Sequence, residues 1–161
     1  MTVLYDPGMA AQLKVGDKAP DFELVDQTGK KVRLSSFRKR RVMLYFYPKA
    51  DTPGCTAQAC GLRDVLGDVG DTAVLGISPD APSKQAKFDQ KYGLGFPLLA
   101  DEDHSVAEAY GVWGEKSNYG RTYMGIIRSA FLIDEKGKLA KVWYKISPKD
   151  TAKNLLAALA E

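Results

Sequence analysis

Two cysteines are the residues of this chain whose type and position indicate chemistry. Cys55 and Cys60 are the only cysteines among 161 residues, and they follow the segment from Pro48 to Thr52 at the start of a predicted helix. A sulfur in the first turns of a helix feels the positive end of the helix dipole and the unpaired backbone N–H groups there. Both favour the thiolate, which is the nucleophilic form of cysteine. Cys60 is placed to trap whatever product Cys55 forms.

Other uses of a cysteine pair fit this spacing less well. A structural zinc site needs four ligands, and the chain has one histidine, His104, and no second cysteine pair. We expect His104, which lies beside Asp103, to be a surface or helix-capping residue. A disulfide reductase of the thioredoxin type separates its cysteines by two residues, whereas four residues separate Cys55 from Cys60. A pair of buried structural thiols stays open as the simplest alternative. No metal and no cofactor is predicted.

The helix also sets the distance between the two cysteines. Residues five apart in an ideal helix lie about 7.5 Å apart along the axis and about 140° apart around it, which gives a Cα separation of about 8.6 Å. A disulfide needs Cα atoms closer than about 7 Å. We therefore expect a bond between Cys55 and Cys60 to require that the first turns of this helix unwind.

Length and composition predict one soluble domain. With 45% hydrophobic and 27% charged residues, the chain has the composition of a globular protein that can bury an ordinary core. The net charge is only +3, and no aromatic residues interleave with the basic run at residues 38–41. We expect that run to be a solvated turn, and we expect no nucleic-acid partner. Residues 1–12 are expected to be a partly ordered lead-in to a domain at residues 13–161.

The sequence predicts neither a membrane partner nor an exported protein. No apolar run approaches the roughly 18 residues of a membrane-spanning helix. Residues 1–6 lack the basic start and apolar stretch of a signal peptide. A cytoplasmic location is the resulting expectation, and in that reducing compartment two cysteines are more often catalytic than structural.

Strands and helices alternate along the chain, which predicts an α/β fold with a mixed sheet. Hairpins are expected at residues 22–34 and 126–144, with Arg128 inside an otherwise apolar strand of the second one. Residues 111–125 are glycine-rich and polar and are expected to be a connection. The remaining expected elements are buried strands at residues 42–47, 73–77 and 97–100, and helices at about 53–68, 83–92 and 106–110. A last amphipathic helix is expected after Ser147 and Pro148. Thr52, Ser83 and Ser147 are the expected caps of three of these helices.

The cysteine segment resembles the active site of a known family. Pro48-x-x-x-Thr52-x-x-Cys55 resembles the motif of the peroxiredoxins. Thr52-Pro53-Gly54-Cys55-Thr56 with Cys60 is similar to the peroxiredoxin Q subfamily, also called bacterioferritin comigratory proteins. The resemblance extends over roughly residues 13–160, and it includes GDKAPDF at 16–22, GISPD at 76–80, FPLLAD at 96–101 and YMGIIRSAFLID at 123–134.

This resemblance implies a fold, an activity and a set of site residues. The implied fold is thioredoxin-like, with a central mixed β-sheet flanked by helices and an N-terminal β-hairpin. The implied enzyme is a thiol-dependent peroxidase for hydrogen peroxide and organic hydroperoxides, with Cys55 as the peroxidatic and Cys60 as the resolving cysteine. Arg128 is implied to approach Cys55 from a neighbouring strand, while Thr52 can orient the peroxide and Pro48 can shield the sulfur. Thioredoxin or a related dithiol protein is the implied reductant.

Resolution by a cysteine of the same chain removes the need for a partner subunit, so we expect a monomer, with a weak dimer as the alternative. The chain departs from the family at Gln58, where glutamate is more frequent, and at Leu62, where phenylalanine is more frequent. Neither change touches the cysteine motif.

Two other functions stay open on the residues alone. A thiol–disulfide oxidoreductase acting on proteins would use the same reactive pair, and a redox-sensing or chaperone-like binding protein would consume peroxide only slowly. Thr52 and Arg128 favour the peroxidase over the oxidoreductase, because peroxide activation needs both residues whereas disulfide exchange needs only the thiols. The binding protein would differ by lacking sustained peroxide consumption when reductant is supplied.

Overall fold

The computed structural model describes residues 12–161, so all but the last residue of the expected lead-in lies outside the described part. Short 3-10 turns occur at Leu34–Phe37, Leu66–Asp68 and Pro148–Asp150. The strands are β1 (Glu23–Val25), β2 (Lys31–Arg33), β3 (Val42–Phe46), β4 (Ala73–Ser78), β5 (Leu98–Ala100), β6 (Trp113–Asn118), β7 (Arg121–Ile126), β8 (Ser129–Ile133) and β9 (Leu139–Trp143). The helices are α1 (Pro53–Asp64), α2 (Pro82–Tyr92), α3 (Ser105–Ala109) and α4 (Thr151–Leu159).

Seven strands form one mixed sheet in the order β2-β1-β5-β4-β3-β8-β9. β3 pairs in parallel with β4 and antiparallel with β8, so it lies inside the sheet. A strand in this position is covered on both faces, which is why β3 is apolar throughout. The cysteine helix α1 follows β3 and therefore begins at the carboxyl end of a buried strand. This is the thioredoxin-like arrangement, with β1 and β2 as its N-terminal hairpin.

Side chains of β3 alternate between two apolar layers, one on each side of the sheet. Val42, Leu44 and Phe46 pack in the layer that contains α3 and the N-terminal hairpin. Met43 and Tyr45 pack in the layer that contains residues of α1, α2 and α4. The period of two between opposite faces follows from strand geometry. The cysteine helix is therefore held on the sheet face that it shares with the C-terminal helix.

One predicted element is wrong in kind. Residues 111–125 were expected to be a connection, but they contain most of a second, two-stranded sheet, in which β6 pairs antiparallel with β7. This hairpin is not part of the main sheet, and most of its residues are exposed or half-buried. A hairpin without a buried face does not need alternating apolar residues, so its sequence lacks the usual strand pattern.

Several boundaries also differ from the sequence-based expectation. Ser147 does not cap α4, because a separate 3-10 turn at Pro148–Asp150 follows it and α4 begins at Thr151 with Asp150 at its N-cap. α1 ends at Asp64 and a separate 3-10 turn covers the rest of the expected helix. α2 is capped by Ala81 and not by Ser83, because Pro82 occupies the first helical position. The strand expected around Arg128 is broken there, since β7 ends at Ile126 and β8 begins at Ser129.

The buried aromatic Phe131 offers a test of the assigned core. Its side chain is fully buried, and its ring lies 5.9 Å from that of Phe46, 5.2 Å from that of Tyr110 and 5.3 Å from that of Tyr144. We expect Phe131→Ala to lower the free energy of unfolding by about 3–5 kcal/mol, measured by urea denaturation. Tyr119→Ala, which removes a ring that is 98% exposed, is the control and should leave stability unchanged. Equal stability of the two variants would contradict this core.

Candidate active site

Cys55 lies in the first turn of α1 with its side chain 1% exposed, and Cys60 lies half-buried on the same helix. Both are free thiols. Pro53 occupies the first helical position, and the carbonyl of Thr52 accepts the first intrahelical hydrogen bond from the N–H of Thr56 at 2.8 Å. The N–H groups of Gly54 and Cys55 therefore have no carbonyl partner within the helix, as expected for this position.

Thr52 occupies the predicted N-cap position, but its side chain does not cap the helix. The hydroxyl instead donates to the carbonyl of Lys49 at 2.8 Å. Because the hydroxyl proton is used in this way, the oxygen keeps its lone pairs for a donor that approaches from outside. The capping role predicted for the Thr52 hydroxyl is therefore wrong, and the hydroxyl oxygen stays available as an acceptor three residues before Cys55.

Arg128 reaches Cys55 from the short break between β7 and β8. One terminal nitrogen, Nη2, lies 3.4 Å from the sulfur of Cys55. The carbonyl of Arg128 accepts a hydrogen bond from the N–H of Ile146 at 2.9 Å, and the preceding residue, Ile127, donates its N–H to Val112 at 2.7 Å. Both sides of the break are thus fixed by the backbone. Because Arg128 belongs to neither strand, its side chain can turn towards α1.

Gln58 holds the other branch of the guanidinium. Nη1 of Arg128 donates to Oε1 of Gln58 at 2.7 Å, and Nε2 of Gln58 donates to the hydroxyl of Thr151 at 3.0 Å. Gln58 is fully buried, so both ends of its amide are satisfied without water. The sequence showed this residue only as a departure from the family. Its spacing of three residues from Cys55, which places both on one side of α1, was the signal that could have found it.

A buried polar network supports the loop that precedes α1. The carboxylate of Asp80 accepts the N–H of Ala50 at 2.7 Å and the hydroxyl of Ser78 at 2.7 Å. Gln85 connects Ser78 to the phenol of Tyr47, the residue before Pro48. Burial raises the pKa of the Tyr47 phenol, so the phenol stays protonated and donates to Gln85.

Pro48 follows β3 almost directly and is half-buried. Its expected shielding of the sulfur stays a prediction.

Within residues 12–161, no group of three or more His, Cys, Asp or Glu side chains could hold a metal ion. His104 lies at the N-cap position of α3 and stacks on the ring of Trp113 at 3.8 Å. No helix in the described part of the chain is long and apolar enough to cross a membrane.

Gly54 provides the space in which Arg128 meets Cys55. A Cβ atom added to Gly54 would lie 3.2 Å from Nη2 of Arg128 and 3.6 Å from Cγ of Pro148. A larger residue at this position would push the guanidinium away from the sulfur. Glycine at this position therefore leaves room for the close approach of the arginine and does not serve a turn.

The chain resembles curated proteins over most of its length. The AhpC/TSA family matches residues 15–142. A putative peroxiredoxin Bcp of Haemophilus influenzae is 57% identical over 140 residues, which cover 86% of this chain and 90% of the relative. Peroxiredoxin Bcp of Bacillus subtilis is 45% identical over 151 residues, which cover 92% of this chain and 96% of the relative.

Solved structures show the same likeness. A cysteine variant of Xylella fastidiosa PrxQ matches with a TM-score of 0.87 at 28% identity, covering 93% of this chain and 97% of that one. The bacterioferritin comigratory protein of Xanthomonas campestris, whose trapped intermediate and ligand complexes concern its alkyl peroxide reduction activity, matches with a TM-score of 0.81 at 33% identity. That match covers 86% of this chain and 90% of the other.

Gly54→Ala tests whether the contact between Arg128 and Cys55 controls the reactivity of the sulfur. The added methyl group meets the end of a flexible side chain, so it should displace the guanidinium without disrupting the fold. We expect alkylation of Cys55 by iodoacetamide at neutral pH to slow by about tenfold, because a small misplacement of a charged partner is costly. Gly67→Ala, with no atom within 4 Å of the added Cβ, is the matched control. Unchanged reactivity in Gly54→Ala would contradict the assigned role of the contact.

Proposed function

The chain is a peroxiredoxin of the AhpC/TSA family, and from this premise we propose that it reduces hydrogen peroxide and organic hydroperoxides at Cys55 with electrons from a dithiol protein of the thioredoxin type. The observation that carries the proposal is the guanidinium of Arg128 at 3.4 Å from a buried sulfur in the first turn of a helix. A fixed positive charge beside a thiol favours the thiolate. It also stabilises the negative charge that develops on the leaving oxygen of the peroxide.

In the first step the Cys55 thiolate attacks the terminal oxygen of the peroxide. The S–O bond forms as the O–O bond breaks, the sulfur is oxidised to sulfenic acid, and the other oxygen leaves as an alkoxide or hydroxide that takes a proton from solvent. Arg128 and the backbone N–H of Cys55 are the donors that stabilise charge on the leaving oxygen. The Thr52 oxygen accepts the hydrogen bond of the peroxide hydroxyl and so orients it towards the sulfur.

In the second step Cys60 condenses with the sulfenic acid, which releases water and leaves a disulfide. Both cysteines lie within the unbroken helix Pro53–Asp64, where their spacing gives a Cα separation of about 8.6 Å and exceeds the disulfide range. The residues between them must therefore leave the helix. Gln58 is one of those residues, so its hydrogen bonds to Arg128 and Thr151 break in the same event.

The third step returns the protein to its starting state. A dithiol protein attacks the disulfide and forms a mixed disulfide, and its second thiol then releases the chain. The reductant leaves with its own two sulfurs joined in a disulfide, Cys55 and Cys60 return as thiols, and α1 forms again. No second subunit takes part in this cycle, which supports a monomer as the active form. The residues to which this cycle assigns a role lie between Thr52 and Thr151, within residues 13–161, which are proposed to form the catalytic domain. Such a cycle, placed in the cytoplasm, would serve antioxidant defence and redox homeostasis.

Serine variants of the two cysteines test the assigned roles. With thioredoxin, thioredoxin reductase and NADPH, we expect the wild type to turn over peroxide and Cys55→Ser to be inactive, because no thiolate remains at the site. Cys60→Ser should react once and then stall, with Cys55 progressing to sulfinic acid at excess peroxide, as mass spectrometry would show. Peroxide consumption by Cys55→Ser at the wild-type rate would overturn the mechanism. A wild type that exchanges disulfides but does not consume peroxide would favour the oxidoreductase alternative.

Unwinding of α1 is tested by amide hydrogen exchange. After one equivalent of peroxide we expect residues 52–64 to lose protection, because the disulfide cannot form across an intact helix, while α2 keeps its protection. Cys60→Ser is the control, since it reaches the sulfenic acid but cannot form the disulfide, and it should stay protected. Identical exchange of residues 52–64 in the reduced and oxidised wild type would show that the helix does not unwind.

A further inference from the structure

One peptide unit in the loop before α1 is held from both sides. The N–H of Ala50 donates to Oδ2 of Asp80 at 2.7 Å, and the hydroxyl of Thr52 donates to the carbonyl of Lys49 at 2.8 Å. That N–H and that carbonyl belong to the same peptide bond, which is trans and planar. They therefore point in opposite directions, with Asp80 on one side of the peptide unit and Thr52 on the other.

Asp80 is itself fixed to the main sheet. It lies two residues after Ser78, the last residue of β4, and the Ser78 hydroxyl donates to its Oδ2 at 2.7 Å. The oxygen of that hydroxyl accepts the N–H of Asp80 at 3.2 Å and Nε2 of Gln85 at 2.8 Å. Ser78 and Gln85 are fully buried, and these three bonds use the whole hydrogen-bonding capacity of the hydroxyl. The half-buried carboxylate of Asp80 is thus held in place as an acceptor for the loop.

The charge of Asp80 strengthens the hydrogen bonds that follow. Among residues 12–161, no basic side chain forms an ion pair with Asp80, so its carboxylate acts on neutral donors. A carboxylate binds a backbone N–H more strongly than a neutral acceptor does. Hydrogen bonds in a chain polarise one another, so the Lys49 carbonyl becomes a better acceptor when the Ala50 N–H is bound to an anion. The proton of the Thr52 hydroxyl is drawn to Lys49 as a result.

Thr52 has a competing use for this hydroxyl. It occupies the N-cap of α1, where a threonine oxygen ordinarily accepts the N–H of the second or third helical residue. The third helical residue is Cys55, whose N–H the proposed mechanism uses at the leaving oxygen. A hydroxyl that turned to cap the helix would occupy both that N–H and a lone pair of its own oxygen. The fixed Lys49 carbonyl keeps the hydroxyl away from this position.

We propose that Asp80 is a positioning residue of the peroxidase reaction: it fixes the Lys49–Ala50 peptide, so that the Thr52 hydroxyl directs its proton to Lys49 and leaves its lone pairs to the peroxide. The N–H of Cys55 then stays free for the leaving oxygen. This inference rests on the proposed function, which supplies the peroxide. It extends the site from the loop before α1 to the end of β4, the parallel neighbour of β3.

The test is a double-mutant cycle in the Cys60→Ser protein, in which Cys55 is the only thiol. The cycle compares the parent with Asp80→Ala, Thr52→Val and the combination of both. Asp134→Ala is the matched control, because this half-buried carboxylate also accepts backbone N–H groups of a turn but lies beside the opposite end of β3. Each protein is measured for its rate constant with one equivalent of hydrogen peroxide, followed as loss of free thiol, and for its rate of alkylation by iodoacetamide.

We expect Asp80→Ala to lower the peroxide rate constant by about tenfold, the effect of losing one orienting hydrogen bond. Thr52→Val should lower it by at least as much. Adding Asp80→Ala to Thr52→Val should then change the rate constant by less than about twofold, because both residues act through one hydroxyl. Alkylation of Asp80→Ala should stay within about twofold of the parent, because iodoacetamide reports the thiolate and carries no peroxide hydroxyl. Asp134→Ala should keep both rates.

An equal loss from Asp80→Ala with and without the Thr52 hydroxyl would overturn the proposal, because Asp80 would then act on the fold of the loop as a whole. A parallel loss of the peroxide and alkylation rates would overturn it as well, and so would an unchanged peroxide rate in folded Asp80→Ala. If Asp80→Ala does not fold, Asp80→Asn, which keeps an acceptor oxygen without the charge, takes its place in the cycle with an expected loss of about threefold.

Failure of the proposed function has a different signature. In that case the parent Cys60→Ser protein would itself react with peroxide no faster than a small thiol does, and neither Thr52→Val nor Asp80→Ala would lower the rate further.

Discussion

The contact between the Arg128 guanidinium and the Cys55 sulfur is the constraint around which the rest of this structure is organised. A half-buried charge is costly unless it has partners, and here the partners are a sulfur and a neutral amide. The break between β7 and β8 supplies the arginine, Gly54 supplies the space, and Gln58 fixes the orientation. Because Gln58 is neutral, the positive charge is not cancelled by a carboxylate and remains available to the sulfur.

The same helix has to meet two opposing requirements. For the attack on peroxide, α1 must be intact, since its first turn places Cys55 against Arg128 and its inner face packs Ala59 and Leu62 on the sheet. For the disulfide, the same turns must come apart. The helix is short and breaks into a 3-10 turn soon after Asp64, so only a small apolar face has to be released. The hydrogen bond from Gln58 to Thr151 ties this release to the start of the C-terminal helix.

Much of the fold and of the site could be predicted because the signals are local. The apolar run of β3, Pro53 at the first helical position and the spacing of Cys55 and Cys60 lie within one continuous segment. The proximity of Arg128 to Cys55 was implied only by the resemblance to the peroxiredoxins. Its position between β7 and β8 could not be predicted, because the sequence around it is a continuous apolar run. Partners such as Gln58 and Thr151 are far apart in the sequence, and no pattern connects them. The β6–β7 hairpin was missed because neither of its faces is buried enough to impose alternation.

Placing both cysteines on one short helix has a consequence for the redox balance of the proposed cycle. A disulfide between them closes a small loop, so it restricts the unfolded chain only slightly and gains little stability from entropy. It also forfeits the helical hydrogen bonds and the packing of Cys55 against the core. Refolding of α1 therefore contributes to the driving force for reduction, and the couple is shifted to a more positive potential than an unstrained disulfide would have. The fold itself therefore favours the return of Cys55 and Cys60 to their thiol form. A weakly reducing dithiol suffices as the electron donor.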